Sequence, residues 1–280
     1  MRVQAILAAV LAAGMLVLGG CAQDRGEFPL STATSAGASG LPVPQLSGSG
    51  SDSGTPSATA TADTGTSTAT PGASATGDAA AEADIDDPES IAVIVNKTRP
   101  LDPVDYAPDD LRVVDVPYVY KPMMRDEAAT AVEAMFAAFA DETGLAMQSQ
   151  SAYRSYSSQK SVYAGWVSSL GKAQADIQSA RPGYSEHQTG LAIDISAKPA
   201  KCSLAACFAD TPQGEWLAKN AWEYGFVLRY PDGYTDVTGY TFEPWHYRYI
   251  GVELAAEYHD SGANTLEEFF GLPDAPTYTG

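Results

Sequence analysis

Residues 185–195 read Ser185-Glu186-His187-Gln188-Thr189-Gly190-Leu191-Ala192-Ile193-Asp194-Ile195, and the chain is best read outward from them. Leu191, Ala192, Ile193 and Ile195 make an apolar run of strand length, and Gly190 lets the backbone turn into it. Asp194 interrupts the run. A carboxylate in a buried strand is costly unless it is paired or bound to a cation. His187 precedes it across the glycine turn, which can bring the imidazole back beside the carboxylate. Taken alone, the two residues are better explained as a salt-bridged aspartate near a surface histidine.

A second stretch changes that balance. Phe242-Glu243-Pro244-Trp245-His246-Tyr247 carries another of the chain's three histidines, among large aromatics that would exclude water. His187, Asp194 and His246 together form a three-ligand set of hard and borderline donors. Such a set suits zinc with an open fourth position for water, the arrangement a catalytic zinc requires. Glu243 then stands as a base that is not itself a ligand. Pro244 argues against a helix interior, so Glu243 and His246 are expected on a turn or strand end.

Around these stretches, helices and strands mix without regular alternation. Strands are expected over 91–95, 145–150, 191–195 and 226–230. Helices are expected over 126–143, 157–170, 215–224, 252–258 and 266–270. Val132, Met135, Phe136 and Phe139 recur at helical spacing ahead of the stop at Gly144. This order favours an α+β domain over a doubly wound sheet. Cys202 and Cys207 share a loop. In an exported protein they read as a disulfide, with a pair of soft metal ligands as the competing reading.

The chain carries 35 acidic and 16 basic residues, a formal net charge of -19. That excludes nucleic acid as a partner, because its recognition leans on Lys and Arg. The N-terminus is a separate matter. Arg2 precedes an uncharged, apolar stretch over 5–20, shorter than the roughly 20 residues of a spanning helix. An uncleaved membrane helix is the alternative to a secretory signal. The stretch ends in Leu18-Gly19-Gly20-Cys21, which resembles a bacterial lipobox, with Cys21 the lipidated mature N-terminus. Residues 22–89 are rich in Ser, Thr, Ala, Gly and Pro and cannot bury enough apolar surface to order themselves. They read as a flexible tether with a root-mean-square span of about 45 Å. The organisation expected is thus a lipoprotein signal over 1–21, a tether over 22–89 and one folded domain over 90–280. Its location would be the outer face of the bacterial cytoplasmic membrane.

Three ordered blocks carry a resemblance to a known family. Ser185, His187, Gly190, Ala192 and Asp194 meet a Ser-x-His-x-x-Gly-x-Ala-x-Asp pattern, and Glu243 and His246 meet Glu-x-x-His. Ser151-Ala152-Tyr153-Arg154-Ser155-Tyr156 with Gln159 supplies the third block, with Ala152 where glycine is common. Val95-Asn96-Lys97 and the cysteine pair also match. Residues 91–271 resemble the VanY-type D-alanyl-D-alanine carboxypeptidases, zinc peptidases of the M15 group. The resemblance implies a small α+β domain with a central antiparallel sheet, and His187, Asp194 and His246 as zinc ligands. It implies Glu243 as general base and acid, and Arg154 on the substrate carbonyl oxygen or terminal carboxylate. Gln159 and Ser185 are implied as substrate contacts.

The expected activity is removal of the terminal D-alanine from peptidoglycan stem peptides by a monomeric, membrane-anchored enzyme. Cleavage after an L-configured residue and endopeptidase action remain open, because a pocket separates one methyl from another by only about 1–3 kcal/mol. So does a non-catalytic wall-binding lipoprotein with a structural zinc.

Overall fold

The computed structural model describes residues 79–279. The expected signal, the lipidated Cys21 and the tether up to residue 78 lie outside the described residues. In chain order the elements are α1 (Ala79–Glu82), β1 (Leu111–Val113), β2 (Met123–Arg125), α2 (Asp126–Thr143), β3 (Ala146–Ser151), α3 (Tyr156–Leu170) and α4 (Lys172–Gln178). There follow β4 (Ala192–Lys198), α5 (Pro212–Asn220), β5 (Phe226–Leu228), α6 (Thr235–Thr238), β6 (His246–Tyr249), α7 (Val252–Ser261) and α8 (Leu266–Phe269). The class is α+β. A four-stranded antiparallel sheet of order β3-β4-β6-β5 is joined by a two-stranded β1-β2 hairpin.

α2 forms where its apolar spacing predicts. Val132, Met135, Phe136 and Phe139 are buried along one stripe. Gly144 closes the helix in the left-handed region, its N–H bonded to the Ala140 carbonyl. That stripe shares one apolar cluster with Met147, Ile193, Ile195, Phe226, Tyr247 and Tyr249, which line a single face of the large sheet. Strand residues alternate between faces, so Asp194 and His246 fall on the opposite face, and Arg248 with them.

The structure departs from the sequence expectation in several places. Residues 91–95 are not a strand. Residues 92–95 are buried, and the Ile91 and Val93 carbonyls, free of a strand partner, accept from Arg248 Nη2 at 2.9 and 2.7 Å. The helix expected from 215 begins at Pro212, because Thr211 Oγ1 caps the Gly214 N–H. It narrows to a 3-10 turn, Ala221–Tyr224, before Gly225. The β1-β2 hairpin and α4 were not foreseen. Ordered packing also begins ahead of residue 90. The Ala79 and Ala80 N–H groups bond the Glu257 carboxylate at 3.1 and 3.0 Å, and Ile85 accepts from the Ile94 N–H at 3.0 Å.

Cys202 and Cys207 are joined by a disulfide with Cα atoms 5.5 Å apart. Among the described residues, no helix is long and apolar enough to cross a membrane.

Candidate active site

The centre of the site follows from sheet register. Asp194 on β4 pairs directly with His246 on β6. His187 comes from a 3-10 turn, Glu186–Thr189, that runs into β4 through Gly190. Gly190 adopts φ +70°, and a Cβ there would lie 2.8 Å from Leu111 Cδ2. The tight reversal that returns His187 to Asp194 therefore requires glycine.

The Asp194 carboxylate gives one oxygen to each ring. Oδ2 lies 3.3 Å from His187 Nε2, and Oδ1 lies 3.1 Å from His246 Nδ1. The two rings stand nearly perpendicular, with centroids 5.0 Å apart. One nitrogen from each ring and one Asp194 oxygen all lie within 4.8 Å of one another. Among the described residues, the only ion-pair partners of this buried carboxylate are the two imidazoles. Charge, donor types and spacing fit a divalent cation of borderline softness.

The remote ring nitrogens are held as such a site needs. His187 Nδ1 lies 2.8 Å from the Ala152 carbonyl, and His246 Nε2 lies 3.1 Å from Glu186 Oε2. Burial holds the His187 pKa below its ordinary value, with Asp194 opposing. Burial disfavours charge on His246 as well, but its bonds to Asp194 and Glu186 win and raise it to about 9. Asp194 stays well below the usual carboxylate range; burial opposes this and the histidines outweigh it.

Glu243 ends the preceding loop, in a turn closed by the His246 N–H on the Glu243 carbonyl. Its Oε2 is 3.9 Å from His246 Nδ1. Burial pushes its carboxyl up to about 8; His246 and Arg154 oppose the shift, while Asp194 and Glu186 add to it. Glu243 is the group at this centre with proton-accepting capacity not already committed to a short ion pair.

Arg154, Ser185, His187, Asp194, Glu243 and His246 share one cleft of about 410 Å³. Arg154 Nη1 donates to Gln159 Oε1 and Nη2 to Ser151 Oγ, both at 2.9 Å. Gln159 is placed otherwise than expected. It is fully buried behind Arg154, and its Nε2 donates to the Ser179 hydroxyl and the Ala180 carbonyl. It braces the arginine and does not line the cleft. Tyr247 faces the core, whereas Trp245 reaches the cleft.

Sequence reasoning missed Glu186, Arg229 and Tyr230. Tyr230 lines the cleft with its ring 4.9 Å from that of His246. Glu186 and Arg229 are wholly buried behind the same ring. Arg229 directly precedes Tyr230 at the end of an apolar run, the pattern that singled out Asp194.

The D-alanyl-D-alanine carboxypeptidase model VanY matches residues 121–252. The chain is 42% identical to YodJ of Bacillus subtilis (strain 168) over 191 residues, 66% of this chain and 69% of that protein. The chain belongs to the VanY family of carboxypeptidases. Two solved relatives extend the likeness to structure. The LdcB LD-carboxypeptidase matches with a TM-score of 0.61 at 41% identity, over 67% of this chain and 88% of its own. A variant of the VanY D,D-pentapeptidase from a VanB-type resistance cassette, solved with Zn(II), matches with a TM-score of 0.53 at 29% identity. It is covered over 98% of its length and 65% of this chain. As a VanY-family member, the chain is a peptidase of the peptidoglycan carboxypeptidase group.

Proposed function

We propose that this VanY-family protein is a zinc-dependent carboxypeptidase that hydrolyses the terminal D-alanine peptide bond of peptidoglycan stem peptides. The observation that carries the reading is the convergence of His187, Asp194 and His246 within 4.8 Å, beside Glu243 and Arg154 in one cleft. His187 through Nε2, His246 through Nδ1 and Asp194 would hold the ion. Zinc(II) in its VanY relative supports that choice of metal. When bound, zinc supplies a Lewis acid and lowers the pKa of water to about 7.

The chain's own residues do the rest. Glu243 accepts a proton from the attacking water and delivers it to the departing amine nitrogen. Arg154 presents a fixed positive charge to the oxygen that becomes negative, or to the terminal carboxylate. Gln159 and Ser151 hold its fork in place. Trp245 and Tyr230 shield the centre from bulk water. Ser185 is a wall residue in reach of substrate. Residues 1–21 would act as a lipoprotein signal and the stretch between them and Ala79 as a tether, fixing the domain through Cys21 to the outer face of the cytoplasmic membrane.

The likeness to LdcB favours a second reading, L,D-carboxypeptidase action on tetrapeptide stems. Mass spectrometry of muropeptides after incubation with the protein decides. Loss of D-alanine from pentapeptide stems supports the first reading and loss from tetrapeptide stems the second. Absence of any trimming in the presence of zinc overturns both.

A further inference from the structure

We propose that Glu186 is a positioning residue, which grips His246 at Nε2 and thereby turns Nδ1 toward Asp194 and the metal position. The residue has no direct part in the cleavage assigned above. Its carboxylate is completely buried and divided between two tasks. Oε2 lies 3.1 Å from His246 Nε2, while Oε1 accepts from Arg229 Nε at 2.8 Å and Arg248 Nη1 at 3.2 Å.

The two arginines are themselves fixed. Arg229 makes a two-pronged pair with Glu267 at 2.9 and 2.7 Å, and Asn96 donates to the same carboxylate at 3.0 Å. Arg248 is pinned by the Ile91 and Val93 carbonyls. Two guanidiniums thus face two carboxylates, so the cluster is balanced in charge without drawing on Asp194. A buried carboxylate with both oxygens committed in this way has one arrangement, and it hands that arrangement to the ring. His187 is held differently, its remote nitrogen meeting the neutral Ala152 carbonyl.

The inference rests on the zinc reading for its affinity measurement but not for its spectroscopic one. In the full-length chain, zinc is titrated against a chromophoric chelator. Glu186→Gln is expected to bind zinc about 10–100-fold more weakly, the usual effect of losing such a partner. Glu267→Gln cuts the same buried cluster one step further from the ring. It is expected to lower the melting temperature while leaving zinc affinity near that of the parent chain. Unchanged affinity in a folded Glu186→Gln variant, or equal weakening in both variants, overturns the proposal.

Should Glu186→Gln not fold, long-range proton–nitrogen NMR on the unaltered chain supplies the answer. A proton on Nε2 of His246, both with and without zinc, supports the inference; an Nε2 lacking its proton overturns it. Failure of the unaltered chain to bind zinc would instead refute the zinc reading, while the Nε2 proton would still test Glu186.

Discussion

The two faces of the large sheet are both buried, yet opposite means hold them. On one face, Ile193, Ile195, Tyr247 and Tyr249 pack against the α2 stripe. That contact is non-directional and tolerates volume-conserving exchange. On the other face, His246 bridges Asp194 and Glu186, and Arg229 and Arg248 pair with Glu186, all through directed, charged hydrogen bonds. There a lost partner leaves a bare charge in a low-dielectric interior. Alternation within β4 and β6 lets the same strands serve both, so apolar packing and chemistry are separable by face.

That separation can be attacked from either side. Stripping metal with a chelator should abolish stem-peptide hydrolysis and spare the apolar face. Activity should return on adding zinc, and undiminished turnover by the stripped protein would refute the zinc reading. Glu243→Gln should lower kcat by about 10²–10⁴-fold, the usual share of a general base, with zinc affinity retained. Full kcat in that variant would remove Glu243 from the mechanism. From the other face, Phe139→Ala should cost about 3–5 kcal/mol in chemical denaturation. Its kcat per folded molecule should not move; a matching fall in kcat would show that the faces are coupled. Removing the disulfide by Cys202→Ser with Cys207→Ser should cost about 2 kcal/mol by loop closure, read as a shift of the urea midpoint.

Acid sharpens the contrast further. The Glu267 carboxyl is held below its ordinary value near 4.5: burial opposes this, and Arg229 and Asn96 outweigh it. A depressed folded pKa contributes stability above the unfolded value, lost as pH falls through the folded one. Melting temperature should therefore decline below about pH 4.5. A flat profile down to pH 3 would mean that this pair does not stabilise the polar face.

Long, periodic elements were legible in sequence for a physical reason. α2 has an apolar stripe, an acidic first turn and a glycine stop, and it occupies the residues expected. Asp194 and His187 were legible because a carboxylate within an apolar strand demands a partner. The β1-β2 hairpin was not, since three-residue strands carry too little alternation. Residues 91–95 misled because an apolar run signals burial, not strand pairing. Gln159 sits in a motif that points to the site, yet only the packed structure shows that it touches Arg154 from behind. Arg248, between Tyr247 and Tyr249, carried the same signal as Asp194, but its partners come from distant chain positions.

Arg248 leans on backbone supplied by residues 91 and 93, and Arg229 leans on a glutamate of α8. Both supports lie beyond the stretch 121–252. A polypeptide trimmed to that stretch would leave two buried guanidiniums sharing the single carboxylate of Glu186. The smallest autonomous folding unit must therefore reach from upstream of Ile91 to past Glu267.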